Sequence, residues 1–460
     1  MGNQVNLNEG SGNCCSINTV PMLIDLSKKE TSSLPVVIIG AGPVGLAAAA
    51  HLAKSGEQFL VLESGENVGN HILQWGHVRL FSPWQYNVDK VALELLKKHG
   101  WEAPSPDDLP TGKELVEYYL EKIASLPEIH PHIHLNSKVL SISKRGLDKM
   151  KSANRENVPF ILYVDQNGTT EQIEAKAVID ATGTCGQPNP INADGVWMKE
   201  EQALQSHIYY GIPDINGKDR ERYLGKRIAV IGGGHSAINT ILELSQLNES
   251  NSNEIIWILR KDNVEEAYGG EEKDGLQARG ELGSKIHQLV NSGRIKVYTP
   301  YQVQEVLMED DSLKIRGKFK GESLSIDRID ELIVNTGSRP DFSFLNEIRL
   351  RIDSATESVE TLAPLIDPNL HSCGTVRPHG EEELRQPEKD FYIAGMKSYG
   401  RAPTFLMATG YEQVRSIVAY LTGDYESAKN VELDLPETGV CSVNLTLTKQ
   451  ENSCCNATSS

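Results

Sequence analysis

The stretch PVVIIGAGPVGLAAAAHLAKSGEQFLVLES, residues 35–64, decides how the chain is read. Val36 to Ile39 form a short apolar run of the kind a buried parallel strand needs, since such a strand is covered on both faces and shows no polar alternation. Gly40-x-Gly42-x-x-Gly45 follows at once, with Pro43 inside it, and Leu46 to Leu52 begin an alanine-rich helix. Phe59 to Leu62 predict a second strand, which ends at Glu63. A glycine triplet alone is weak evidence. Strand, turn, helix, strand and a terminal acid about 20 residues on are together the dinucleotide-binding fingerprint. Gly40 makes the tight turn, Gly42 lets the backbone approach a diphosphate, and Gly45 lets the helix pack on the strand. The helix N-terminus stabilises the phosphate charge, and Glu63 can accept hydrogen bonds from ribose hydroxyls.

The unit recurs in GKRIAVIGGGHSAINTILELSQL (225–247) and NEIIWILRKDN (253–263). Ile228 to Ile231 predict the strand, Gly232-x-Gly234-x-x-Ala237 the turn with Ser236 inside it, and Ile238 to Leu247 the helix. The second strand, Ile255 to Leu259, runs into Arg260 and Lys261 where the first unit has an acid. A carboxylate would repel a 2′-phosphate, whereas a guanidinium can hold it with two hydrogen bonds, so this site reads as one for NADPH. A solvated strand end is the plainer account of Arg260. Arg279, in the glycine-rich stretch YGGEEKDGLQARGELG (268–283), is a weaker second candidate for the same phosphate.

Composition sets the bounds. With 460 residues, 39% hydrophobic and 23% charged, the chain is long enough for two or three domains. A net charge of −18 would repel a phosphate backbone, so nucleic acid is an unfavourable partner. No run approaches the roughly 18–20 apolar residues of a membrane span, and the polar N-terminus lacks a signal-peptide core, so neither a membrane nor secretion is expected and the chain reads as cytoplasmic. Met1-Gly2 hints at myristoylation, but Asn6 stands where that motif wants Ser or Thr. Seven cysteines, an odd number, argue against a disulfide framework in a reducing compartment.

Two dinucleotide units are what a flavin enzyme reduced by a nicotinamide needs, one for FAD and one to deliver hydride. AVIDATGT (177–184) and LIVNTGSRPD (332–341) are apolar strands that run into Thr-Gly turns, Thr182-Gly183 and Thr336-Gly337, and they bracket the second unit. At this point the chain resembles the two-dinucleotide-binding-domain flavoproteins, a superfamily that includes flavin-containing monooxygenases and thioredoxin-reductase-like enzymes. The resemblance runs from about Pro35 to Asp424. It implies an α/β fold of two Rossmann-like domains, the NADPH domain inserted into the FAD domain. The expected layout is an N-terminal tail (1–33), FAD-binding segments at 35–190 and 328–425, an NADPH-binding segment at 191–327, and a C-terminal tail (430–460). Residues 390–424 would supply the closing strand and helix of the FAD domain, with the helix from about Leu406 to Leu421. The family often has Asp directly after the Ala-Gly of that strand to hold the ribityl chain. Here Gly395 is followed by Met396, so that task falls to backbone groups or to Lys397.

Between the first unit and the first Thr-Gly turn, GNHILQWGHVRLFSPWQYN (69–87) resembles the monooxygenase segment that lies against the flavin, with Trp75, Arg79, Phe81, Trp84 and Tyr86 as pocket candidates or plain packing. Helices follow at Val88 to Lys98 and Thr111 to Ala124, the second opened by a capping box of Thr111 and Glu114. His130, His132 and His134 would share one face of a strand, where a solvated edge explains them better than a metal. A later loop gathers His371, Cys373, Arg377 and His379, a spacing that matches no zinc template.

Arg79, Cys373 and Lys397 are the candidates for a chemical role. The expected partner is a small-molecule substrate, with a homodimer left open. Three classes compete. The Phe-x-Gly-x-x-x-His signature of many family monooxygenases is missing from SHIYYGIPDINGKDRERYLG (206–225). A disulfide reductase needs a redox Cys pair, and none occurs inside the domains. A non-catalytic flavin sensor would not need the intact NADPH fingerprint. GHVRLFSPW, GGGHSAINT and GMKSYGRAPTFLMATGYEQVRS look closest to a subgroup of FAD- and NADPH-dependent oxidoreductases that is in part associated with arsenic resistance. The resulting expectation is a monooxygenase-like FAD- and NADPH-dependent oxidoreductase acting on a small soft substrate, an arsenical or a thiol compound. The alternative is a thioredoxin-reductase-like enzyme using tail cysteines. Cys14-Cys15 and Cys454-Cys455 sit in polar ends, as does Cys441. Adjacent thiolates suit a thiophilic metalloid, although incidental cysteines in terminal tails explain them as simply.

Overall fold

The computed structural model describes residues 33–247, 253–368, 379–402 and 405–433. The terminal cysteines, together with His371, Cys373 and Arg377, lie outside them. The first unit runs β1 (Val36–Ile39), β2 (Phe59–Leu62), β3 (Ile133–His134), an antiparallel meander β4, β5 and β6 (Ser137–Lys144, Phe160–Gln166, Thr169–Ala175), then β7 (Ala177–Asp180). The second runs β8 (Ile208–Tyr210), β9 (Arg227–Ile231), β10 (Glu254–Ile258), β11 (Ile295–Tyr298), a meander β12, β13 and β14 (Tyr301–Glu309, Ser312–Phe319, Glu322–Ile329), then β15 (Glu331–Val334). Strand β16 (Phe391–Ile393) returns to the first.

Two parallel five-stranded sheets result, ordered β16-β7-β1-β2-β3 and β11-β10-β9-β15-β8. The fold is therefore the expected pair of Rossmann-like units, and the repeat is deeper than the glycine motifs. In each unit a three-stranded meander precedes a strand that pairs beside the motif strand, β7 on β1 and β15 on β9. Every residue of β1 and β7 is buried, which explains the uninterrupted apolar runs Val36–Ile39 and Ala177–Ile179.

Several details differ from the sequence reading. Glu331–Val334, which falls in the 328–425 segment assigned to the FAD domain, pairs with β9 and β8 in the second sheet, so the return to the first sheet begins only after Asn335. The three histidines do not share a strand face. His130–His132 form a 3-10 turn and only His134 is in β3, because Pro131 has no amide hydrogen to give to a strand ladder. Among the described residues no cluster of three metal-type side chains occurs, and no helix is long and apolar enough to cross a membrane. The capping box of Thr111 and Glu114 is present, and its helix, Gly112–Leu115 continuing to Glu121–Ala124, carries a π segment at Val116–Leu120 between the two.

One buried ion pair ties the first meander to β16. Arg155 donates from Nε and Nη2 to the Glu388 carboxylate at 2.8–3.1 Å, and both side chains are 3% exposed. Removing one partner leaves a buried charge uncompensated, so Arg155→Ala should lower the unfolding free energy by about 3–5 kcal/mol. Chemical denaturation should show a much smaller loss for Arg155→Met combined with Glu388→Leu.

Candidate functional site

The two glycine turns are built alike. At Gly40 (φ 99°) an added Cβ would lie 2.9 Å from the Ala181 carbonyl oxygen, and at Gly232 (φ 138°) it would overlap the Asn335 carbonyl. Each first glycine therefore fits under the end of the neighbouring strand, β7 or β15, where a side chain has no room. At Gly45 an added Cβ would overlap the Gly40 carbonyl oxygen, so helix Pro43–Lys54 can start against β1 only without a side chain there. Ala237, buried, takes that place in the second unit, where helix His235–Leu247 begins. Gly42 and Gly234 differ in kind from these: an added Cβ would meet nothing within 4 Å. The space in front of both middle glycines is open, which is what a diphosphate at a helix N-terminus requires.

Glu63, 6% exposed, is fixed by its own turn. Its Oε2 accepts from the Ala41 amide and its Oε1 from the Gly65 amide, both at 2.8 Å. Ser64 Oγ also donates to Oε1, at 3.4 Å, so Oε2 is the oxygen that keeps a second lone pair for a ribose hydroxyl. A cavity of about 280 Å³ opens beside it, and Gly40, Glu63, Thr182 and Gly183 all line it. Its wall also holds residues that sequence reading did not select: Lys138 and Val139 at the start of β4, and Arg339, Asp341 and Phe344 from the chain that returns out of the second sheet. Arg339 and Asp341 close the stretch LIVNTGSRPD behind the second Thr-Gly turn, whereas no motif announces Lys138, Val139 or Phe344; strand order brings them together.

The Thr-Gly turns do mark the crossings. Gly183 and Gly337 both have positive φ, 69° and 83°. The two crossing segments are stitched side by side: the Asn189 amide donates to the Gly337 carbonyl at 2.9 Å, Thr336 Oγ1 to the Asn189 carbonyl at 2.8 Å, and Ser338 Oγ to Thr184 Oγ1 at 3.0 Å.

Lys397 is not available for chemistry or for a ribityl chain. Its Nζ donates to Asp180 Oδ2 at 2.6 Å and to Thr182 Oγ1 at 3.1 Å, with both charged side chains fully buried. Gly395, with φ 70°, packs on Val44, and its amide donates to Gln413 Oε1 at 2.7 Å. Arg79 is exposed and donates to the Leu109 carbonyl, outside the cavity wall. Of the aromatic insertion, Trp84 is buried packing and Trp75 packs against Gly112. Phe81 does reach across to the second turn, its ring 5.4 Å from that of His235, which opens the helix there. Burial and nearby Arg279 hold the His235 imidazole below its ordinary pKa.

Arg279 lies on helix Gln277–Asn291, not in a loop, and Asp274 takes its guanidinium in two hydrogen bonds at 2.7 and 2.8 Å. That neutralisation leaves it a poor phosphate ligand. Arg260 is exposed, with one long contact of 3.4 Å to the Ala193 carbonyl, and the Lys261 stem lies against Gly233 of the turn. Cys185 keeps solvent-exposed surface, but the protein packed around its thiol desolvates it and raises its pKa, so it stays protonated and weakly nucleophilic at neutral pH.

Comparison with known proteins places this arrangement. Residues 37–373 match the pyridine nucleotide-disulphide oxidoreductase family model, well over half of the chain, and the chain belongs to that family. It is 25% identical over 407 residues to a ferredoxin–NADP reductase of Lactococcus lactis subsp. cremoris, an alignment covering 88% of this chain and 97% of that one. Among solved structures, bacillithiol disulfide reductase from Staphylococcus aureus superposes with a TM-score of 0.61 at 19% identity, covering 85% of this chain and 99% of that one. The cadaverine monooxygenase of desferrioxamine biosynthesis from Erwinia amylovora gives 0.60 at 14% identity, covering 87% and 96%.

Two consequences of this geometry can be measured. Gly42→Val should stay within about 1 kcal/mol of wild-type stability yet lose bound flavin, because its side chain has room only where the diphosphate would sit. Gly45→Val should instead lose about 3 kcal/mol or more, because the obstacle is backbone. Thermal melts and flavin absorbance separate the two.

Glu243, on helix His235–Leu247, supplies a pH dependence. Its Oε2 is buried with no partner among the described residues, and burial together with Asp214 pushes its carboxyl up to about 7. Between the ordinary carboxylate range and about 7 the folded chain holds a proton that the unfolded chain has released, so stability falls as pH rises through that window. Glu243→Gln should remove this slope and be more stable than wild type at pH 8 by on the order of 1–2 kcal/mol.

Proposed function

We propose that the chain is an NADPH-dependent flavoprotein oxidoreductase that holds FAD at the first glycine turn and NADPH at the second. The observation that carries this is the doubled geometry: two parallel sheets, each with open space at its middle glycine, one followed by a buried acid and the other by two bases. When bound, the cofactors supply hydride transfer from nicotinamide to flavin. The chain's own part is to hold and orient them. Gly40, Gly42, Pro43 and Gly45 shape the first diphosphate site, Glu63 accepts from ribose, and Thr182, Gly183 and Gly395 border the flavin side. Gly232, Gly234, Ser236 and Ala237 shape the second, with Arg260 reading the 2′-phosphate.

The finer reading is oxygenation of a small soft substrate, an arsenical or a thiol compound. Between residues 35 and 425 the sequence holds only Cys185 and Cys373, with no Cys pair of redox spacing, which favours an acceptor other than a protein disulfide. A second reading has electrons passing to a separate protein carrier, favoured by the nearly full-length similarity to ferredoxin–NADP reductases. The test is NADPH oxidation in air with candidate substrates, with oxygen uptake and oxygenated product both measured, beside anaerobic reduction of an iron–sulfur carrier. Product formed in proportion to oxygen consumed supports oxygenation; carrier reduction without oxygenated product overturns it.

A bidentate phosphate contact is worth about 1–3 kcal/mol, so Arg260→Ala should lower kcat/KM for NADPH roughly ten- to a hundredfold and leave NADH use unchanged. Equal losses with both nucleotides would assign Arg260 to the fold.

A further inference from the structure

We propose that Arg339, on the return crossing, is a ligand of the adenosine end of the FAD, so that this end is closed by chain arriving from the second sheet. The proposal rests on the reading of the first unit as the FAD site. Glu63 fixes where a ribose would sit, and the cavity beside it continues to Val139 on β4, so the base lies on that side of the ribose. Adenine offers ring-nitrogen acceptors and a π face. A planar guanidinium serves both, as donor and as stacking partner, where a lysine ammonium serves neither as well.

Arg339 is the one arginine of the cavity wall. It is already oriented: its amide donates to the Gln187 carbonyl at 2.9 Å, its Nε donates to Asn189 Oδ1 at 3.2 Å, and its Nη2 stands 3.5 Å from Glu357. Its Nη1 has no partner among the described residues. The contacts that hold the guanidinium therefore fix two of its three nitrogens and leave a donor for a ligand. Phe344, five residues on, lines the same cavity and supplies an apolar surface for the base.

The experiment uses the full-length chain, stripped of flavin and titrated with FAD and with FMN, which has no adenosine, with ADP as a competitor that has no flavin. Arg339→Gln should raise the Kd for FAD by roughly tenfold or more, weaken ADP competition by a similar factor, and leave the Kd for FMN unchanged. Unchanged FAD binding overturns the proposal. So does an equal loss for FAD and FMN, because that pattern belongs to a residue that only holds the crossing together. A wild-type chain that takes up neither flavin nor ADP overturns the reading of the first unit itself, and shows this without any variant.

Discussion

Everything in this molecule is arranged around a close approach of backbone to backbone. The turn after β1 must pass beneath the end of β7, and the turn after β9 beneath the end of β15, with no room at Gly40 or Gly232 for a side chain. Because β7 and β15 end where the turns begin, the chain leaving each sheet starts beside a cofactor turn. The two exits, Thr182 onward and Thr336 onward, meet and bond to one another. One steric constraint therefore places the diphosphate turns, the crossings and the cavity together.

A second constraint holds the first sheet's exit in place. Asp180 ends β7 fully buried, its Oδ1 accepting from Thr182 and its Oδ2 from Lys397. Burying a charge pair is costly, and the pair persists because each group has hydrogen bonds in addition to the opposite charge. Lys397 also faces the rings of Phe342 and Phe344, 5.4 and 4.5 Å away, so the lysine links β7 to the chain beyond β15 as well as to β16. A lysine four residues past the closing strand, which reads in sequence like a reactive group, is by this linkage a clamp.

What the sequence made legible follows from how local each signal is. The glycine turns, Glu63, the capping box of Thr111 and Glu114 and the two Thr-Gly turns all act within a few residues of themselves, and the structure places them as read. What the sequence hid depends on distant pairing. Arg279 reads as a free base in a loop, and its value as a ligand ends with Asp274, whose proximity is a property of the helix that forms there. The histidine triplet alternates as a strand would, but Pro131 between the first two histidines turns that stretch into a 3-10 turn. The repeated meanders share no motif, since antiparallel hairpins need only alternation and turns, so the deeper duplication of the two units shows only in the strand order.

The same logic bears on how the two units divide their work. In the second unit the bases stand on the strand end next to the turn, Arg260 exposed and Lys261 against Gly233, so a nucleotide can be recognised by local chain and released without disturbing the sheet. In the first unit the acid is buried and accepts hydrogen bonds from the Ala41 and Gly65 amides, and the cavity wall is completed by residues from beyond the second sheet. The lining of that cavity joins segments more than 270 residues apart in sequence, Glu63 and Arg339 among them. A resident cofactor belongs in the site closed by distant chain and an exchanging one in the site built locally. That is the arrangement expected when FAD stays bound through many cycles and the nicotinamide nucleotide comes and goes.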